Sequence, residues 1–184
     1  RDVIHEARAL GITCWESESN QLDGLAEGGN HQGVVAETHG FEYTPLDDII
    51  DVTEDRSQAG VLILDQVQDP RNLGAMIRSA AAMDFNGAIL PKDRAAGVTP
   101  TVVRTSAGCA FRLPIACVTN IARSMETLKE AGYWAVGTRQ EASPAWEIDF
   151  DMKTALVMGG EHEGMRRLVD DTCDLHASIP MAPG

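Results

Sequence analysis

The sequence predicts an α/β fold: a parallel sheet with helices on both faces. Three observations carry this. From residue 61 onward, short apolar runs (VLILD, GAILP, PIACV, YWAVGT, TALVMGG, LHASIP) alternate with segments of helical character. The runs are apolar throughout, as in strands covered on both sides. Glycines and polar residues collect where these runs end, at the sheet edge where such folds bind ligands.

Each element follows in order. DVIHEARAL (2–10) reads as the tail of a helix, and GITCW after it as a short strand. NHQGVVAET (30–38) reads as a turn and a strand, with Gly33 before the β-branched pair Val34 and Val35. Residues 39–60 are polar and acidic, a connector with one short helix at PLDDII. VLILD is then a strand and NLGAMIRSAAAMDF an Ala- and Met-rich helix. GAILP is a strand, TPTVVRTSAG a helix, PIACV a strand, and NIARSMETLKEAG a helix closed by Gly132. YWAVGT and TALVMGG are strands, EGMRRLVDDT a helix and LHASIP a last strand. No internal repeat or low-complexity segment interrupts the pattern.

Composition bounds the function. The chain has 184 residues, 43% hydrophobic and 23% charged, which predicts a packed core rather than disorder. No apolar run approaches the roughly 20 residues that span a bilayer. No basic-then-apolar leader opens the sequence, so a cytoplasmic location is expected. Cys14, Cys109, Cys117 and Cys173 form no C-x-x-C pair and read as reduced thiols rather than zinc ligands or disulfides. His5, His31, His39, His162 and His176 lack metal-ligand spacing, and no metal is expected. Trp15, Trp134 and Trp146 stand apart from one another and read as core or interface residues.

The net charge of −13 argues against a nucleic-acid partner, but it is uneven. Residues 1–60 carry a net of −10 and residues 61–184 a net of −3, so the second part can still present a local basic patch. The chain starts at Arg1 and stops at IPMAPG, and a piece of a longer protein is the expectation.

Two stretches carry candidate chemistry. In DPRNLGAMIRSA (69–80), Asn72 is placed to cap the helix and Gly74 to admit a backbone or a ligand. Arg78 lies about one and two-thirds turns further on. It either points back to the strand-exit crevice or snorkels to the surface. In MGGEHEGM (158–165), glycines and a helix start can cradle a cofactor, or form an ordinary tight turn. Glu161 can cap that helix, pair with an arginine or hold a ligand amine. Lys92, Arg94, Arg104 and Arg112, with Arg166 and Arg167, are either phosphate contacts or a solvated face. No Ser-His-Asp arrangement can be argued.

These stretches together resemble a known family. LDQVQDPRNLGAMIRSA resembles motif 1 of the SpoU/TrmH ribose 2′-O-methyltransferases of the SPOUT superfamily, ALVMGGEHEGM its motif 2, and ASIPM the opening of its motif 3. HQGVVAE resembles the strand that closes the family's small N-terminal substrate-binding domain. Residues 90–138 are similar to the bacterial branch that methylates a guanosine of 23S ribosomal RNA.

The resemblance implies a SPOUT-type deep trefoil knot, a homodimer, structured RNA as substrate and S-adenosylmethionine held by the knot loops. Arg78 matches the catalytic arginine, Asn72 the asparagine beside it and Glu161 the motif 2 glutamate. Gly137, Thr138, Gly159, Gly160, Gly164, Ile179 and Met181 match cofactor-binding positions. His31, Gln32, Lys92 and Arg104 are assigned to RNA contact. The expected division is 1–44, part of a small α/β N-terminal RNA-binding domain; 45–60, a linker; and 61–184, the methyltransferase domain.

Two departures stand out. His162 replaces a glycine common in relatives, which matters only if the turn needs positive φ there. The family's motif 3 continues past the point where this sequence stops, so the knot and one wall of the cofactor site are expected to be completed by residues beyond Gly184. A non-catalytic RNA-binding relative and a transfer-RNA methyltransferase are the alternative readings.

Overall fold

The computed structural model describes residues 3–26 and 29–181. The chain divides into two units, Arg1–Gly40 and Phe41–Gly184.

The first unit contains α1 (Val3–Ala9) and α2 (Ser19–Leu25). A capping box starts α2: Glu18 accepts from the Gln21 amide, and the Gln21 side chain accepts from the Glu18 amide. The patterning did not anticipate α2. The strands expected at GITCW and NHQGVVAET are absent, and no strand forms in this unit among the described residues. A strand persists only when a neighbour satisfies its backbone groups, and neither stretch finds one.

The second unit begins with α3 (Leu46–Asp51) in the stretch expected as a connector. Its Ile49 is fully buried, and a Cβ on Gly87 would stand 2.7 Å from the Ile49 Cγ2. Thr53 and Tyr133 share a buried hydrogen bond of 2.7 Å. This segment therefore packs on the sheet. The apolar residues of PLDDII form one helical face, and that face needed covering.

β1 (Ala59–Asp65), α4 (Pro70–Ala82), β2 (Gly87–Pro91), α5 (Pro100–Thr105) and β3 (Ile115–Val118) follow, then α6 (Ile121–Glu130), β4 (Trp134–Pro144), β5 (Lys153–Gly159), α7 (Arg167–Thr172) and β6 (Leu175–Ser178). The six strands are all parallel, in the order β3-β2-β1-β5-β4-β6. β1 shows why helices cover both faces. Val61 and Ile63 join Ile49, Ile121, Met125, Leu128 and Val169 on one side. Leu62 and Leu64 join Leu73, Ile77, Ala80 and Val102 on the other. Burying each large side chain of these layers contributes about 1.5–3 kcal/mol.

Local signals set the helix ends. Asp69 caps α4 by accepting from the Arg71 amide at 2.6 Å, with Pro70 at the first helical position. This corrects the expectation that Asn72 is the cap. Asn120 caps α6, and Gly132 follows it at φ +88°. β4 runs further than expected, to Pro144, with a register shift against β6 between Thr138 and Ser143.

The strand order brings β1 and β5 side by side although α4 to β4 lie between them in sequence. Asp65 pairs in register with Gly159, so the DPRN and GGEHEG segments leave the sheet next to each other.

Candidate active site

Asp65 ends β1 with its carboxylate wholly buried. Arg166 satisfies it with three donors: the backbone N–H at 2.7 Å, Nε at 2.8 Å and Nη2 at 2.6 Å. The carboxylate thus ties the start of α7 to the exit of β1. Gln66 follows at φ +64° and donates from Nε2 to the Gly164 carbonyl at 3.2 Å.

The glycines here serve close approach of the chain to itself. A Cβ on Gly160 would lie 2.5 Å from the Gln66 carbonyl oxygen, and one on Gly159 would lie 2.1 Å from the Gly164 carbonyl carbon. Gly160 and Gly164 exchange backbone hydrogen bonds of 3.2 and 3.0 Å across the turn. Positive φ falls on Gly164, at +67°, and not on His162, so histidine is accommodated there without backbone strain.

Because Asp69 takes the capping role, the Asn72 side chain is free to reach across the crevice. Its amide donates to Glu161 Oε1. That bond is the main reason the Glu161 carboxyl titrates below its ordinary value; a backbone donor at Glu161 adds to it. Both residues are exposed, so the carboxylate is ionised and open to solvent.

Arg78 is exposed on α4, and its side chain makes no hydrogen bond or ion pair among the described residues. By helical spacing it shares a stripe with Arg71, about 10 Å along the axis. The structure joins Asn72 to Glu161 and leaves the Arg78 guanidinium unengaged. Gly74 faces another helix: a Cβ there would meet the Thr105 Cβ at 2.7 Å and the Val102 carbonyl at 2.9 Å.

The other expected cofactor positions lie on three neighbouring strands: Gly159 ends β5, Ile179 follows β6, and Gly137 and Thr138 sit within β4 where its pairing with β5 stops. Gly137 is buried, and a Cβ there would meet Cys173 Sγ at 2.8 Å, so its glycine is a packing requirement. Thr138 donates from Oγ1 to the Val157 carbonyl at 3.2 Å. Ile179 and Met181 are 78% and 75% exposed beyond β6. Exposed apolar side chains at Ile179 and Met181, with backbone polar groups at the end of β5, are of the kind an adenosyl group would need. Beside Gly137, Gly159 and Gly160 the chain itself fills the space, whereas an added Cβ on Gly164 meets nothing within 4 Å.

The expected RNA contacts fall in both units, His31 and Gln32 in the first and Lys92 and Arg104 in the second. His31 is committed within its own unit: Nδ1 accepts from the Gly33 amide at 3.0 Å, leaving Nε2 to donate to Asp23 at 3.1 Å. Gln32 is exposed at φ +48°. Lys92 is exposed just after β2, and Arg104 is exposed in the last turn of α5. Among the described residues no group of three or more His, Cys, Asp or Glu is placed to hold a metal ion. Asp65 and Arg166 were not singled out as a pair in the sequence. The signal was an acid ending an apolar strand, which burial obliges to find a partner.

The class is that of α/β enzymes whose chemistry sits at the carboxyl edge of a parallel sheet. The family follows from comparison. The model of the SpoU rRNA methylase family matches residues 59–184, and that of RNA 2′-O ribose methyltransferase substrate binding matches residues 1–44. The chain belongs to the SpoU rRNA methylase family.

It is 43% identical to the 23S rRNA (guanosine-2′-O-)-methyltransferase RlmB of Xylella fastidiosa (strain 9a5c), over 100% of this chain and 74% of that protein. Against RlmB of Vibrio cholerae serotype O1 the identity is 41%, over 98% of this chain and 73% of the relative. Among solved structures it is similar to the SpoU methyltransferase AviRb from Streptomyces viridochromogenes in complex with AdoMet: TM-score 0.64, 32% identity, 70% of this chain and 53% of that one. The chain thus spans about three quarters of these curated relatives and about half of that solved chain.

Proposed function

We propose that this chain methylates a ribose 2′-hydroxyl of RNA with S-adenosylmethionine, and that the target is a guanosine of 23S ribosomal RNA. The observation that carries the reading is the Asn72–Glu161 bond, which joins the two motif segments at the sheet's carboxyl edge. The names of the RlmB relatives support the substrate, and the AdoMet-bound neighbour supports the cofactor.

When bound, S-adenosylmethionine supplies an electrophilic methyl group on a cationic sulfonium. The 2′-hydroxyl must lose a proton and attack in line, so catalysis is largely positioning. Arginine is always charged and is a poor base. Arg78 instead holds a neighbouring phosphate or the hydroxyl and stabilises the alkoxide as it forms. Its freedom from protein partners leaves all its donors for that role. Asn72 keeps Glu161 oriented and ionised, a fixed negative charge suited to a cationic donor. Thr138, Ile179, Met181 and the backbone at Gly137, Gly159, Gly160 and Gly164 hold the cofactor. Gln32, Lys92 and Arg104 contact RNA phosphates, and His31 orders the turn that presents Gln32. The same reading includes a homodimer, the trefoil knot, the division at 1–44, 45–60 and 61–184, and a cytoplasmic location.

The test is methyl transfer from labelled S-adenosylmethionine to unmodified 23S ribosomal RNA, with Arg78→Ala as control. Label on one guanosine 2′-oxygen, lost in the control, is expected. Label only on transfer RNA would move the substrate. RNA binding with no label on any RNA would overturn the catalytic reading in favour of a binding protein.

A further inference from the structure

A polar cleft of about 500 Å³ opens between the loops that leave β1, β2 and β5, lined by Gln66, Gln68, Arg94, Ala95 and Glu163. It is open to solvent, and Gln68, Arg94 and Glu163 are exposed on its rim. The walls are tied together. The Ala96 amide donates to the Val67 carbonyl at 3.0 Å, and the Gln66 side chain to the Gly164 carbonyl at 3.2 Å. Two non-glycine residues on the lining, Gln66 and Arg94, hold left-handed φ of +64° and +60°. Such conformations carry strain and gather at functional sites.

The side chains of Gln68, Arg94 and Glu163 make no hydrogen bond or ion pair among the described residues. Arg94 and Glu163 are of opposite charge and share one cleft, yet do not pair, and the gap between them is open to a guest that offers donors to one and acceptors to the other.

We infer that this cleft reads the base of the target nucleotide as guanine, with Glu163 accepting from its N1–H and N2–H and Arg94 or Gln68 donating to its O6. This rests on the methyl-transfer reading above and deepens it. Guanine places two donors side by side on its Watson–Crick edge, with the O6 acceptor adjacent. A carboxylate accepts both donors at once, and a guanidinium or amide completes the edge. Adenine presents an acceptor at N1, which meets the Glu163 charge with repulsion instead of a bond. The cleft and the Asn72–Glu161 pair are built from the same two strand-exit segments: Glu163 lies two residues after Glu161, and Gln68 four before Asn72.

The experiment uses short RNA hairpins carrying the guanosine that 23S ribosomal RNA labelling identifies, with that guanosine replaced in turn by inosine, which lacks the N2 amine, and by adenosine. Without a labelled position, the probes are single-stranded oligomers of guanosine, inosine or adenosine. Affinity is read by fluorescence anisotropy, independent of turnover, for the unaltered chain and for Glu163→Gln, with thermal melting to check folding. Losing one hydrogen bond to a charged group is worth roughly 10–100-fold.

The expected result is a penalty of that size for inosine, larger for adenosine, in the unaltered chain, with the inosine penalty reduced to about twofold or less in Glu163→Gln. No inosine penalty in the unaltered chain, or the same penalty in both proteins, would overturn the inference and leave methyl transfer standing. Guanine discrimination that depends on Glu163, without methyl label on any RNA, would sustain the cleft's role and sink the catalytic reading.

Discussion

Replacing Asp65 by asparagine tests the anchor that positions the crevice. Asp65 is fully buried and accepts three donors from Arg166. Removing one partner of a sealed ion pair costs roughly 3–5 kcal/mol. Arg166 is not sealed: its side chain is 38% exposed and regains water when the charge opposite is lost. Asparagine also keeps one carbonyl acceptor. The expected loss is therefore about 2–3 kcal/mol, near the worth of a single charged hydrogen bond. For a chain of this size that lowers the melting temperature by about 5–10 °C. Urea denaturation supplies the free energy, and hydrogen exchange at the Arg166 amide supplies the local readout, since that amide loses its charged acceptor. Methyl transfer should fall further than stability alone explains, because the Arg166 tether holds the turn that carries Glu161. A loss under 0.5 kcal/mol with unchanged exchange at Arg166 would refute the claim that this carboxylate organises the site.

Three other predictions follow from the same geometry. Arg78→Lys keeps the charge and loses the planar fork; turnover should fall by about 10²–10³, while melting stays unchanged because the side chain is exposed and unpaired. Near-normal turnover would remove Arg78 from the chemistry. Asn72→Ala should raise the Glu161 pKa toward the ordinary glutamate value, seen by carbon-detected NMR titration. In the unaltered chain the folded pKa is depressed, so the stability from this bond is present above the unfolded carboxylate pKa and fades as pH falls through the lower folded one. An unmoved titration would mean that the bond is not the cause. Burial pushes the Cys173 thiol up to about 12, so iodoacetamide at pH 8 should spare Cys173 and alkylate exposed Cys117 first. Equal labelling of the two in the folded chain would contradict that burial.

Much of the sheet was legible because its signals are local. An apolar run such as VLILD has one economical fate, a strand covered on both faces, and Pro70 or Gly132 marks a helix end within a turn of itself. From the strands' alternation with helices came the parallel order, and from that the edge where chemistry belongs. Asn72, Arg78 and Glu161 stood out by their place near strand exits, and their catalytic roles came from the resemblance.

What the sequence determined alone is therefore the set of strands and helices from β1 onward, and which ends of them to inspect. Only the tertiary structure decided that Asn72 spans 89 positions to Glu161, or that Asp65 spans 101 to Arg166. It also decided that Gly137, Gly159 and Gly160 make room for the chain itself, that the 39–60 stretch packs through Ile49, and that GITCW and NHQGVVAET form no strands. The physical reason is common to all of these. Propensity and caps act over a few residues, whereas a contact between distant segments depends on the strand order and register that place β5 beside β1.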